Sequence, residues 1–134
     1  MTKEEILAMD AGKELDAVVD KEIFGGDGCV HDLYWVDPEE YACTKCHKQF
    51  CDPEPYSYST DISAAWLVTW KMSQLGHNMS LLLLCNELYP EPYWYCDFRV
   101  RGSNAPPRYE WVDHQKSAPE VICKAALLAK LKIL

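Results

Sequence analysis

The sequence predicts an α+β fold, helices layered on a small antiparallel sheet with a zinc-ribbon-like insertion, and three observations carry that reading. Apolar residues recur at helical spacing near both ends and in the middle of the chain. Between residues 79 and 101 the period changes to two. Four cysteines and two histidines crowd into Gly28–Cys51. At 134 residues the chain is about one domain long, so residues 1–134 are expected to share one core, with 25–52 inserted into it. Hydrophobic residues make up 49% and charged ones 25%, an ordinary globular composition that excludes a disordered or fibrous chain.

The elements follow in order. Thr2-Lys-Glu-Glu5 is a capping box, and Leu7, Ala11, Leu15, Val18 and Val19 continue at helical spacing, predicting a helix to about Phe24 that Gly25-Gly26-Asp27-Gly28 stops. Ser59 or Thr60 is placed to cap a second helix, in which Ile62, Ala65, Trp66, Thr69 and Trp70 form a stripe expected to face the core, ending at Gly76. Met79–Leu88 and Tyr93–Arg101 read as a strand pair, and Tyr109–Val112 as a short third strand. Ser117-Ala-Pro-Glu120 is a second capping box opening the last helix, with Lys130 and Lys132 suited to its C-terminal dipole.

The cysteine-rich segment has the spacing Cys29-x-His31, eleven residues, then Cys43-x2-Cys46. Side chains two apart on an extended segment point to one side, and Cys-x2-Cys around a tight turn aims both sulfurs at one point. Four such ligands close a tetrahedron, so Cys29, His31, Cys43 and Cys46 are expected to hold a structural zinc. Seven cysteines, an odd number, and a start rich in acids where an export signal would be basic and apolar argue against a disulfide framework and for a cytosolic chain. Many zinc knuckles carry glycine after the second cysteine; here His47 must take the left-handed turn, an angle at which histidine is enriched. His47 and Cys51 are the spare ligands should Cys29 or His31 not bind. Tyr34, Trp35, Tyr41 and Phe50 are expected to cover the metal, and Cys85, Cys96 and Cys123 to be buried, inert thiols.

The formal net charge of −8 disfavours nucleic-acid binding, and the longest apolar run, Leu81–Cys85, is far short of the roughly 18 to 20 residues a membrane span needs. No phosphate-binding loop, dinucleotide fingerprint, nucleophile elbow or metalloprotease motif is present, and His77 and His114 sit near element ends, so catalysis is not expected.

Glu4–Asp16, Tyr58–Trp66 and Ala118–Leu127, in this order, resemble the phage ABA-sandwich domain proteins, small chains of bacteriophages and prophages. The resemblance implies an α/β/α sandwich, expression in the cytoplasm of an infected bacterium, and no catalytic residue to carry over. In the Tyr93–Arg101 strand, Tyr93, Tyr95, Arg99 and Arg101 share a face on which rings can stack a base and guanidinium forks can hold phosphate. The expected function is therefore a non-enzymatic counter-defence protein that sequesters a small nucleotide-like immune signal. The alternative is an acidic inhibitor of a host defence protein. Either role is compatible with a homo-oligomer.

Overall fold

The computed structural model describes residues 1–85, 92–102, 109–113 and 117–131. Leu88, His114 and Lys132 lie outside these residues. The first capping box forms as the sequence predicts: the Glu5 N–H donates to Thr2 Oγ1 at 3.2 Å and the Thr2 N–H donates to Glu5 Oε2 at 2.6 Å. It opens α1, Lys3–Ala8. The single helix expected to reach Phe24 is two, because the chain turns extended at Met9 and restarts as α2, Lys13–Phe24. Gly12 sits at the restart with φ of 149°, which side-chain-bearing residues rarely adopt. The break lets Ile6 and the Leu15, Val19 and Ile23 stripe approach one core from different directions. Gly25 ends α2 in the left-handed region, as expected.

Three short strands follow, β1 (Leu33–Asp37), β2 (Glu40–Cys43) and β3 (Gln49–Phe50), forming an antiparallel sheet of their own. Helix α3, Ile62–Gln74, is capped by Asp61, whose carboxylate accepts the Ser63 N–H at 2.8 Å, and not by Ser59 or Thr60. Ser59 is buried and committed elsewhere. Its Oγ donates to Asp16 Oδ1 at 2.6 Å, its N–H donates to the same oxygen at 2.8 Å, and it accepts the Gly12 N–H at 2.9 Å. This knot ties the approach to α3 onto the start of α2. Burial raises the Asp16 pKa, although the Ser59 hydrogen bonds act to lower it.

The expected core stripe of α3 is corrected. Ala65, Val68 and Met72 face the core, while Trp66 and Trp70 are 47% and 59% exposed. The helix is apolar on two faces, and it buries the one that lets it approach the last helix closely.

Gly76 then turns the chain into β4, His77–Leu84, which pairs antiparallel with β5, Tyr93–Val100, and β5 with β6, Tyr109–Asp113. Cys96 and Phe98 are buried on one face of this sheet, with Met79, Leu81 and Trp94 packed against the same core. The last helix, α4 (Ala118–Lys130), is buried along its whole length from Ala118 to Ala129. The sheet lies against it on one side, and α1, α2 and α3 pack on the others.

The second capping box does not form: Ser117 makes no side-chain cap bond. Glu120 pairs with Lys124 at 2.9 Å, and Lys124 Nζ also donates to the Leu7 carbonyl at 3.1 Å, fastening α4 to α1. A buried ammonium needs a carboxylate more than a helix end needs a cap. Cys96 and Cys123 are buried as expected, and burial pushes the Cys96 thiol up to about 12. Cys85 is exposed, contrary to expectation, since it follows the last residue of β4. Among the described residues no helix is long and apolar enough to cross a membrane.

Candidate metal centre

The β1–β2 pairing brings the two halves of the cysteine-rich segment together. Leu33 stands opposite Cys43, so Cys29 and His31, just upstream of β1, lie beside the Cys43–Cys46 turn. Asp27 fixes the upstream arm, accepting the Cys29 N–H at 3.0 Å and pairing with Lys48 at 3.2 Å. The turn is closed by the His47 N–H donating to the Cys43 carbonyl at 3.0 Å and the Lys45 N–H donating to Cys43 Sγ at 3.4 Å. His47 takes the left-handed angle the sequence required of it, with φ of 62°.

The ligand atoms of Cys29, His31, Cys43 and Cys46 all lie within 4.8 Å of one another. Cys29 Sγ is 3.8 Å from Cys43 Sγ, and Cys46 Sγ is 3.4 Å from His31 Nδ1. A tetrahedral zinc with Zn–S of about 2.3 Å and Zn–N of about 2.0–2.1 Å requires S···S edges of about 3.8 Å and S···N edges of about 3.5 Å. The donor set therefore fits a metal ion of zinc's size. Four protein ligands leave no position for a reacting water, which is the arrangement of a structural site. His47 and Cys51, both exposed, stand outside this group of four.

The electrostatics follow from crowding. Burial works against ionising Cys43, but the Cys46 backbone amide, His31, and the Lys45 and Asp32 backbones outweigh it and bring that thiol down to about 5. Burial, with Cys46 and Cys43 alongside, pushes Cys29 up to about 12. Thiols this close do not all ionise unaided; a dication removes the repulsion and takes them as thiolates.

The covering residues differ from expectation. Phe50 packs on His31 with ring centroids 4.8 Å apart, but Tyr34 is exposed and Trp35, on the opposite face of β1, is 64% exposed. Tyr56 and Tyr58 were missed by sequence reasoning. Tyr56 lies 5.8 Å from His31 and 5.7 Å from Phe50, Tyr58 stacks on Tyr56 at 5.9 Å, and Phe24 stacks on Tyr58 at 5.0 Å. This row of rings joins the cluster to the end of α2. The alternation Tyr56-Ser-Tyr58 after the proline-rich stretch was the available signal. A cavity of about 220 Å³ opens beside the cluster, with Asp16, Asp20 and Glu54 on its walls beside Lys13 and His31.

On β5 the structure groups three of the four residues singled out for ligand binding. Tyr93, Tyr95 and Arg99 alternate on the face opposite Cys96 and Phe98. Asp97, only 1% exposed, accepts the Tyr95 hydroxyl at 2.9 Å and pairs with Arg99 Nε at 3.5 Å, while about half of the Arg99 side chain (51%) stays open to solvent. Arg101 lies in the turn beyond β5 and folds back on α3 and β4, donating to Asn78 Oδ1 at 3.3 Å and to the Ser73 carbonyl and Oγ at 3.0 and 2.9 Å.

A family model described as the phage ABA sandwich domain matches residues 18–127. The comparisons with curated proteins and with solved structures gave no match.

Proposed function

We propose that this chain, which belongs to the phage ABA sandwich domain family and is thus a phage accessory protein, acts in counter-defence by sequestering a small nucleotide-like host immune signal without transforming it. The observation that carries this reading is the Tyr93, Tyr95 and Arg99 face of β5. Two rings share a face with a half-exposed guanidinium whose Nε lies 3.5 Å from the buried Asp97 carboxylate, which also accepts the Tyr95 hydroxyl. Such a face stacks a base and offers a fork to phosphate. Zinc in the cysteine cluster has a structural part in this reading.

The test is thermal. Cyclic dinucleotides and ADP-ribose derivatives are added in turn at saturating concentration. The cognate class raises the melting temperature by several degrees, since ligand at 100 times Kd adds about 2.7 kcal/mol. Arg99→Ala and Tyr93→Ala abolish that rise while keeping the ligand-free melt. No rise with any of these nucleotides contradicts the reading.

A second reading, an acidic module docking on a host defence protein, draws support from β1. There Trp35 is exposed on one face of the strand and Tyr34 on the other, with the exposed acids Asp32, Asp37 and Glu39 close by in sequence. Exposed aromatic side chains are enriched in protein interfaces. Capture of one host protein by the wild type and its loss with Trp35→Ala would favour this reading over sequestration.

A further inference from the structure

Helix α3 carries an apolar stripe that its own chain leaves in solvent. Ile62, Trp66 and Trp70 stand four apart with Leu67 beside them, 41, 47, 59 and 53% exposed, on the side away from Ala65, Val68 and Met72. The Leu75–Gly76 turn reverses the chain, so α3 runs back along β4. Thr69 Oγ1 lies 3.4 Å from Met79 Sδ, and Arg101 bridges Ser73 to Asn78. Thr69 and Ser73 border the stripe on the helix surface, which sets it on the β4 side of α3.

Strand β4 is the end strand of its sheet, and among the described residues no strand pairs with its outer edge. It runs in unbroken register with β5 from His77↔Val100 to Leu84↔Tyr93 and leaves Leu82 and Leu83 48% and 56% exposed. Proteins that keep such an edge in water blunt it with a charge, a proline or a bulge. Here none is present. From Ile62 to Leu84 the only Asp, Glu, Lys or Arg is Lys71, in a chain of net charge −8.

We infer that α3 and β4 together form a homodimer interface. Two β4 edges pair antiparallel about a two-fold axis perpendicular to the sheet, giving one continuous six-stranded sheet with both α3 helices on the same side. The axis explains why the stripe and the edge lie together: it brings stripe to stripe as it brings edge to edge. Charge selects the occupant. A basic host protein would need acids to read, and this face has none. A second copy is repelled by the acids elsewhere, and the like charges it meets here are Lys71 and Arg101, the latter held on Ser73 and Asn78. Area agrees in scale: the exposed parts of the two tryptophans, roughly half of about 250 Å² each, with those of Leu67, Ile62, Leu82 and Leu83, supply the larger part of the roughly 800 Å² per partner of a stable interface. The inference is independent of what binds on β5.

Light scattering on the purified full chain at micromolar concentration tests it. The wild type is expected at twice 15.4 kDa. Trp66→Glu/Trp70→Glu, and separately Leu82→Lys, are expected at 15.4 kDa with unchanged far-ultraviolet circular dichroism, the dimer being weakened at least about ten-fold. Hydrogen exchange of the wild type gives a readout free of variants: β4 amides lose protection on dilution while α4 amides keep theirs. A wild type of 15.4 kDa, a dimer that survives both folded variants, or β4 protection independent of concentration overturns the inference.

Discussion

The two three-stranded sheets of this chain are held by opposite means. The β4–β5–β6 sheet lies on a core that, among the described residues, takes buried side chains from α1, α2, α3 and α4. The β1–β2–β3 sheet brings only Ala42 and Cys43 into the buried apolar set, and its other fixed points are a cluster of four donor atoms and a row of rings leading to Phe24. The lesson is one of scale. A segment too short to hide a core from water brings together four donor atoms that could hold a metal ion, whereas the larger body is ordered by burial.

Substitutions can break that contrast. The largest effect is expected in the body: Phe98→Ala should cost about 3–5 kcal/mol in urea unfolding, since the ring is almost wholly buried against α4. Lys124→Ala should cost about 3 kcal/mol, because Glu120 loses the buried ammonium it pairs with and the tie to Leu7 is cut. Glu120→Leu combined with Lys124→Met should recover most of that loss, and a double-mutant cycle checks it. Cys43→Ser with Cys46→Ser should act locally. Limited proteolysis then cuts within residues 25–52 while the body melts within a few degrees of the wild type. A collapse of the whole melting curve would show that the two regions are one cooperative unit. The smallest effect sharpens the comparison from the other side. His47→Gly, at φ of 62°, should stabilise the segment by about 1 kcal/mol, read as slower proteolysis there with an unchanged body.

How much of this was legible in the sequence depended on how local the cause was. The Thr2 capping box, the ligand spacing, the turn at His47 and the inward alternation of Trp94, Cys96 and Phe98 each rest on neighbours a few residues apart, and each is found where the sequence placed it. The departures have distant causes. Glu120 left its cap for a lysine that also reaches Leu7, 117 residues away in sequence. Ser59 left its cap for Asp16, 43 residues away. Helix α3 offered two apolar faces, and only the packing of α4 decided which was buried. Arg101 shares the strand's period with Arg99, but β5 ends at Val100, and the turn sends that guanidinium to α3. The break at Gly12 was written in one residue that the helical periodicity masked.

The most direct test of a cysteine segment organised around a metal is native mass spectrometry of the freshly purified chain beside its Cys43→Ser/Cys46→Ser variant. The expected result is one zinc per chain in the wild type and none in the variant. A wild type free of metal whose residues 25–52 still resist protease, or a variant that keeps its full zinc content, would contradict the account.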